Sequence, residues 1–505
     1  MASAAHTKGF LGQTTCEVKN MQQPTPRPDP LYPGPLTHEA ITGVFQGAGD
    51  FVTRQLRCAG QTLYAYMIDG LVSGGDASEY IFRPIAESLQ GQTMQELYDA
   101  AQSGAVYNSV ADPCQDLNTV AMKLVNGFCV VLFPGAGAIA FEVKTGEKRS
   151  LSAPEVENTV KGPKDAFTET VRTNTSLIRR HMRTPDLRLY ETQVGRRSLT
   201  NVTVASIEGL TDPSLVERMK QRLDAIDIDG FLSPAAVEEY VTGSRPTAFP
   251  LLQFTERADK FCQGLLAGRV GLLVDGLPLG YLAPADLGYL MTSPEDRGMD
   301  YLSASAVRVL RYAALIVSLL LPGFYVAMAA FHQEMIPLPL LQAMIASKES
   351  VPFPTIAEVL GLLIAFELLQ EAGIHLPQSI GQTVSIIGGL VVGTAAVEAK
   401  LISPAALIAV SVAGICGFAL PGRDFADAVR LWRFAITVVA SLAGLFGLSA
   451  GLIALLVHLS GLTCLDVAYL APFSRGKRLR IFRRRLKEQK LRNPSLDPQD
   501  LRNQR

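Results

Sequence analysis

The sequence lacks the usual signs of a metal, redox or hydrolytic centre. Its seven cysteines (Cys16, Cys58, Cys114, Cys129, Cys262, Cys416 and Cys464) are odd in number, scattered, and form no C-x-x-C pair. That pattern speaks against a structural disulfide framework or a zinc site and fits a reducing compartment. The six histidines contain no H-E-x-x-H and no other metal-ligand spacing. No basic-then-apolar leader opens the chain, so its soluble part is expected not to be secreted. A net charge of −1 gives no global attraction for nucleic acid. No enzyme site assembles from these letters, and neither a catalytic residue nor a cofactor is expected.

Charge is also scarce, but only in one place. Residues 309–331, 355–369, 383–397, 404–420 and 434–459 are apolar runs with few charges, and a weaker run covers 459–473. A bilayer core of ~30 Å needs about 20 apolar helical residues, and about 17 suffice. Backbone groups there must be satisfied internally, so the runs are expected to be helices. Buried core helices of a soluble protein are the bland alternative, and five such runs close together argue against it.

Basic residues orient the block. Arg297, Arg308 and Arg311 precede the first run, and residues 475–492 carry ten Lys/Arg against Glu488. Both ends are therefore expected inside, which requires an even number of crossings. Six crossings use 309–331, 355–369, 383–397, 404–420 and a bent pair across 434–473. They put Arg423, Arg430 and Arg433 in an inside loop at 421–433. Four or five spans remain alternatives.

The expected fold is an α/β cytoplasmic region of two related subdomains plus an α-helical transmembrane bundle. The expected boundaries are a Pro-rich tail (1–36), subdomain 1 (37–150), subdomain 2 (151–305), the transmembrane domain (306–473) and a basic tail (474–505). Residues 61–72 (QTLYAYMIDGLV) and 201–210 (NVTVASIEGL) read as strands, each followed by a helical pattern, at 79–89 and 213–223. Asp212 suits an N-cap and Pro213 the first helical position. Residues 128–143 and 269–282 read as hairpins turning at Pro134-Gly135 and Asp275-Gly276. Asp69 and Glu208 lie 139 positions apart, and Gly135 and Gly276 lie 141 apart. Two related subdomains explain this echo; recurrence of common patterns is the alternative.

Gly447-x-Ser449-x-Gly451 has the letters of a nucleophile elbow but sits in an apolar run with no strand before it. Close helix packing explains it better, as it does Gly389-x-x-x-Gly393. Glu358, Glu367 and Glu371 lie inside the apolar stretch 355–373. Carboxylates at membrane depth are costly and face a bundle interior or water. They are candidate pore or gate residues for cations, or hydrogen-bonded contacts between helices. The other dense stretch is 161–188, with Asp165, Glu169, Arg172, Arg179, Arg180, Arg183 and Arg188 among apolar positions. Like-charge pairs at i,i+4 weaken an isolated helix, so this one is expected to meet another chain or domain. Asp165, Glu169, Asn174, Arg179 and Arg180 are the candidate contact residues. Phosphate binding by the arginines is a weaker option.

The same stretch resembles the signature of the GerA-type spore germination family, the A subunits of nutrient germinant receptors. The matching residues are Gly162, Pro163, Asp165, Ala166, Phe167, Glu169, Asn174, Leu177, Ile178, Arg179 and Arg180. The resemblance continues through Thr255-Glu256-Arg257, Gly268-Arg269-Val270, Val351-Pro352-Phe353-Pro354, Phe366-Glu367 and Glu371-Ala372-Gly373, over roughly residues 45–475. It implies an oligomeric, nutrient-gated cation channel of the spore inner membrane, multi-pass with both termini cytoplasmic, with a pentamer as the expected ring. It implies work with a transporter-like B subunit and a lipoprotein C subunit. A stage V AF-type accessory protein carries the same motifs. A lone secondary transporter or a membrane scaffold are the readings from other classes.

Overall fold

The computed structural model describes residues 32–106, 110–144, 153–157, 159, 161–243, 246–375 and 393–471, and part of 482–503. Most of the Pro-rich tail, most of the run 383–397 with Gly389, and much of the basic stretch 475–492 lie outside the described residues.

The first layer is a five-stranded antiparallel sheet. Its strands are β1 (Phe51–Cys58), β2 (Gln61–Ile68), β3 (Ala111–Cys114), β4 (Phe128–Phe133) and β5 (Gly137–Glu142), in the order β1-β2-β4-β5-β3. The β4–β5 hairpin turns through Gly135 at φ 85°, a conformation that favours glycine. Alternation sorts the side chains to two faces. Val131, Phe133, Ile139 and Phe141 meet α2 (Gly74–Ala77), α3 (Arg83–Glu87) and α4 (Met94–Ala100). Val130, Leu132, Ala138 and Ala140 meet α1 (His38–Val44) and α5 (Leu117–Val125).

The second sheet repeats the strand order. Strands β6 (Leu187–Val194), β7 (Thr200–Ile207), β8 (Gln253–Thr255), β9 (Val270–Val274) and β10 (Gly280–Ala283) follow β6-β7-β9-β10-β8. Gly276 at φ 84° turns its central hairpin. One face packs on α6 (Val171–His181) and α9 (Ala258–Leu266). The other packs on α7 (Pro213–Asp224) and α8 (Pro234–Thr242). Asp212 caps α7 by accepting from Ser214 N, with Pro213 at the first helical position. Helix α10 (Leu287–Leu290) leads out of the sheet.

The apolar block holds α11 (Tyr301–Ala330), α12 (Leu338–Lys348), α13 (Thr355–His375), α14 (Pro404–Phe418) and α15 (Arg423–Gly461). Among the described residues two helices, α11 and α15, are long and apolar enough to cross a membrane. Helix α15 is two arms: Ala443 and Gly444 leave helical geometry, and the chain folds back. Phe249 contacts both Phe425 of the outgoing arm and His458 of the returning one. A Cβ on Gly447 would run into the Val439 carbonyl, and one on Gly451 would stand 3.1 Å from Ile436. The small-residue motif is thus the contact face between two arms of one helix.

Two expectations need correction. The run 459–473 is not a helical arm: β11 (Thr463–Cys464) and β12 (Val467–Ala468) form a hairpin through Leu465 and Asp466, both at positive φ. Its Cys464, Leu465 and Tyr469 join the core under the second sheet, so burial against that sheet explains its apolar character. The bend of the expected pair falls instead at 443–444. Residues 423–433 are not a loop either, because α15 starts at Arg423, directly after Pro421-Gly422.

Candidate functional site

The candidate residues fall into two groups. The first sits on α13, between α11, α14 and α15. Helices α13 and α14 run parallel, since Glu358 meets Ser403 and Phe366 meets Gly414. Glu358 is buried; its Oε2 accepts from Ser403 N at 2.9 Å, and Lys348 Nζ lies 3.6 Å from Oε1. Ser403 also caps α14 by accepting from Ala406 N, so the carboxylate fastens one helix start to another. Glu367 lies toward the other end. Its Oε1 accepts from Arg433 at 3.0 Å, and Arg430 stands 3.2 Å from Oε2. The Glu367 side chain keeps 41% of its surface, whereas Arg433 keeps 4%. Glu371 is exposed, one turn further on. The three acids do not converge; they mark separate levels of one helix.

The second group lines the joint between the two sheets. Arg179, on α6, is fully buried and forks onto Asp50 with contacts of 2.7 and 2.8 Å, while also donating to the Thr184 carbonyl at 3.2 Å. Such bidentate charge-assisted geometry fixes orientation as well as distance. Asp50 precedes β1, so the pair ties the second sheet's helix to the first sheet. Beside it, Ser176 Oγ donates to the Gly70 carbonyl at 2.9 Å and Gly49 N donates to the Leu189 carbonyl at 2.7 Å. Arg172 stands 3.3 Å from Asp69 and 2.9 Å from Glu191.

The other signature residues hold loops. Asn174 is fully buried; its Oδ1 accepts from Thr168 N and its Nδ2 donates to the Thr168 carbonyl, at 2.8 and 2.6 Å. Asp165 contacts His181 Nε2 at 2.5 Å. The Glu169 carbonyl accepts from Gly276 N at 2.7 Å, clasping the β9–β10 turn, while its side chain is exposed. Arg180 is exposed. The structure therefore brings Arg179 and Asn174 into buried networks and leaves Arg180 and the Glu169 side chain at the surface.

Several partners escape a reading of letters. Asp50 is 129 positions from Arg179, and nothing near it marks it. Arg430 and Arg433, which look like loop charges, are the counter-ions of Glu367. Glu256 accepts from the backbone N–H groups of Glu155, Val156 and Glu157, and Arg257 donates to the Pro163 carbonyl at 2.8 Å. The match at 255–257 was the only signal for that clamp on the connecting segment.

Chemistry is suppressed at three buried thiols. Burial pushes the Cys129, Cys262 and Cys464 thiols up to about 12, so they stay protonated and inert at neutral pH. Among the described residues no group of three or more metal-ligating side chains forms.

The family model described as Bacillus/Clostridium GerA spore germination protein matches residues 39–495. The chain is 36% identical over 442 residues to the uncharacterized membrane protein YfkQ of Bacillus subtilis (strain 168), covering 87% of this chain and 86% of that one. It is 33% identical over 458 residues to spore germination protein KA of the same organism, covering 90% and 84%. Spore germination protein A1, also from that organism, is 36% identical over 364 residues, covering 72% and 75%. The crystal structure of the N-terminal domain of the A subunit of the Bacillus megaterium spore germinant receptor GerK3 aligns at 26% identity, covering 48% of this chain and 92% of that one, with a TM-score of 0.37.

Proposed function

Because the chain belongs to the Bacillus/Clostridium GerA spore germination protein family, we propose that it is the A subunit of a spore nutrient germinant receptor and forms an oligomeric, nutrient-gated cation channel. The observation that carries this reading is the reach of the family match, which includes both sheets and the apolar block. The reading is non-enzymatic. It places the chain in the spore inner membrane with both termini on the cytoplasmic side. Its partners are a transporter-like B subunit, a lipoprotein C subunit and further copies of itself, with a pentamer as the expected ring.

Six crossings suit the described arms. Among the described residues, α13 and α14 run parallel beside α11 and the two arms of α15, an arrangement that agrees with an even count. In a ring each subunit contributes the same helix to the axis, and acids there concentrate cations. Glu367 suits the gate because it is half exposed yet clamped by Arg430 and Arg433. Glu358 suits a structural fastening because it is buried within one subunit.

Two measurements test the reading. Native mass spectrometry of the full chain in mild detergent is expected to show a closed ring of several copies; a monomer, alone and with both partner subunits co-expressed, sinks the channel. Glu367→Gln is expected to slow nutrient-triggered potassium release from spores roughly tenfold at unchanged protein level, the scale of losing one charge-assisted contact. Unchanged release removes Glu367 from the gate.

A further inference from the structure

The first apolar helix begins on a charge cluster that the sequence scatters widely. Asp296 lies in the short turn Pro294–Arg297 and is fully buried. Arg308 Nε contacts its Oδ2 at 3.0 Å and Arg311 contacts its Oδ1 at 2.8 Å, both from α11. The C-terminal segment adds Arg483, also buried, which donates to the backbone carbonyls of Asp296 and, at 3.0 Å, Met299. Its backbone N–H donates to Ser305 Oγ at 3.0 Å. Arg485 stacks on the Tyr301 ring at 4.8 Å from the centroid and donates to its hydroxyl at 3.2 Å.

Arg297 stands close enough to feel both Arg308 and Arg483 as like charges. Around the five guanidiniums stand Asp296, which is buried, Asp300, which already caps α11 by accepting from Leu302 N at 3.2 Å, Asp259 on the side of Arg297 and Glu488 on the side of Arg485, one acid fewer than the cations. Burial and then the Arg308 charge push the Arg483 pKa down, against the opposite pull of Asp296 and Asp300.

The position of the cluster identifies the missing anion. Beyond Arg311, the rest of α11 runs from residue 312 to Ala330. At 1.5 Å per residue that stretch is about 28 Å long, close to the ~30 Å hydrocarbon core. The arginines then stand at the level of lipid headgroups. A guanidinium fork matches phosphate oxygens in geometry and charge, and juxtamembrane arginines attract anionic lipid.

We propose that Arg308, Arg311, Arg483 and Arg485 form a site for the phosphate of an anionic phospholipid headgroup at the start of α11. The site rests on the reading that α11 crosses a bilayer. It makes lipid a fourth component of the joint between soluble region, first helix and C-terminal segment.

The test uses the full chain, delipidated in mild detergent and then titrated with phosphatidylglycerol or phosphatidylcholine under native mass spectrometry. Phosphatidylglycerol is expected to be retained roughly 25-fold over phosphatidylcholine, with about a fivefold loss for each arginine removed, in Arg485→Gln and then in the double variant with Arg483→Gln. Asp296→Asn is expected to raise retention, since it removes the competing carboxylate. If that variant fails to fold, exposed Arg485 still carries the test. Equal retention of both lipids, or retention unchanged in the two arginine variants, overturns the site and leaves α11 as a span. Stabilisation by inorganic phosphate equal to that by phosphatidylglycerol assigns the site to a free anion and overturns the lipid occupant. Failure of the chain to enter vesicles of either composition overturns both the site and the span.

Discussion

The two sheets share strand order and hairpin geometry but not their surroundings. The first is covered on both faces by its own helices, α1 to α5. The second has one face covered by α6 and α9, but its other face continues into the apolar block. Val204, Leu272 and Tyr281 lie in one core with Phe425, Val429, Leu455, Leu459 and the β11–β12 hairpin. One strand pattern thus serves two tasks. The first sheet is closed, and the second is the mechanical base of the helices. A movement of α15 must repack the second sheet, because dense cores do not deform continuously.

The comparison breaks or sharpens by substitution. Phe425→Ala, at a fully buried site, should cost about 3–5 kcal/mol. Hydrogen exchange should then quicken in β9 and β10 while β4 and β5 stay protected; Phe133→Ala should do the reverse. Exchange spreading equally through both sheets in either variant would show that their cores are not separate.

The Arg179–Asp50 fork joins the two halves. Arg179→Ala leaves Asp50 buried without its cation, which should cost about 3–5 kcal/mol. Limited proteolysis of the full chain should then cut first between the two sheets, with each sheet still intact. Uniform digestion would mean that the halves do not fold apart.

A smaller effect belongs to the second sheet alone. Burial, and then the Asp424 charge on α15, push the Glu238 carboxyl up to about 7. Its protonated form is the one the fold favours. The contribution is therefore fully present below the ordinary carboxylate value and is lost as pH rises through about 7. Glu238→Gln should flatten that stretch of the melting curve against pH, by about 1–3 kcal/mol at most. An unchanged slope between pH 5 and 7.5 would show that Glu238 is not the group responsible. The smallest effect is at the first sheet's rim. Arg83 pairs with Glu79 and Glu87 at i,i+4 in solvent, and Arg83→Ala should move the melting temperature by no more than about a degree or two.

Local features were legible in the letters. Pro134-Gly135 and Asp275-Gly276 announced turns that need positive φ, Asp212-Pro213 announced a helix start, and Gly447-x-x-x-Gly451 announced a close helix contact. Each depends on a residue's own backbone preferences or on neighbours within a few positions. Partners were not legible. Arg179 was a candidate without Asp50, Glu367 without Arg430 and Arg433, and Arg308 and Arg311 without Asp296 and Arg483. The run 459–473 carried enough apolar residues for a helix and became a hairpin, because apolar content reports burial and not what does the burying.

By itself, then, the sequence determined the alternation of the strands, the helix starts and the family signature. Short-range sterics and side-chain period dictate these whatever surrounds them. Tertiary structure decided which sheet carries the helices, which charges neutralise one another and where α15 doubles back. Those outcomes depend on contacts between residues far apart in the chain, whose energies exist only once the fold has brought them together.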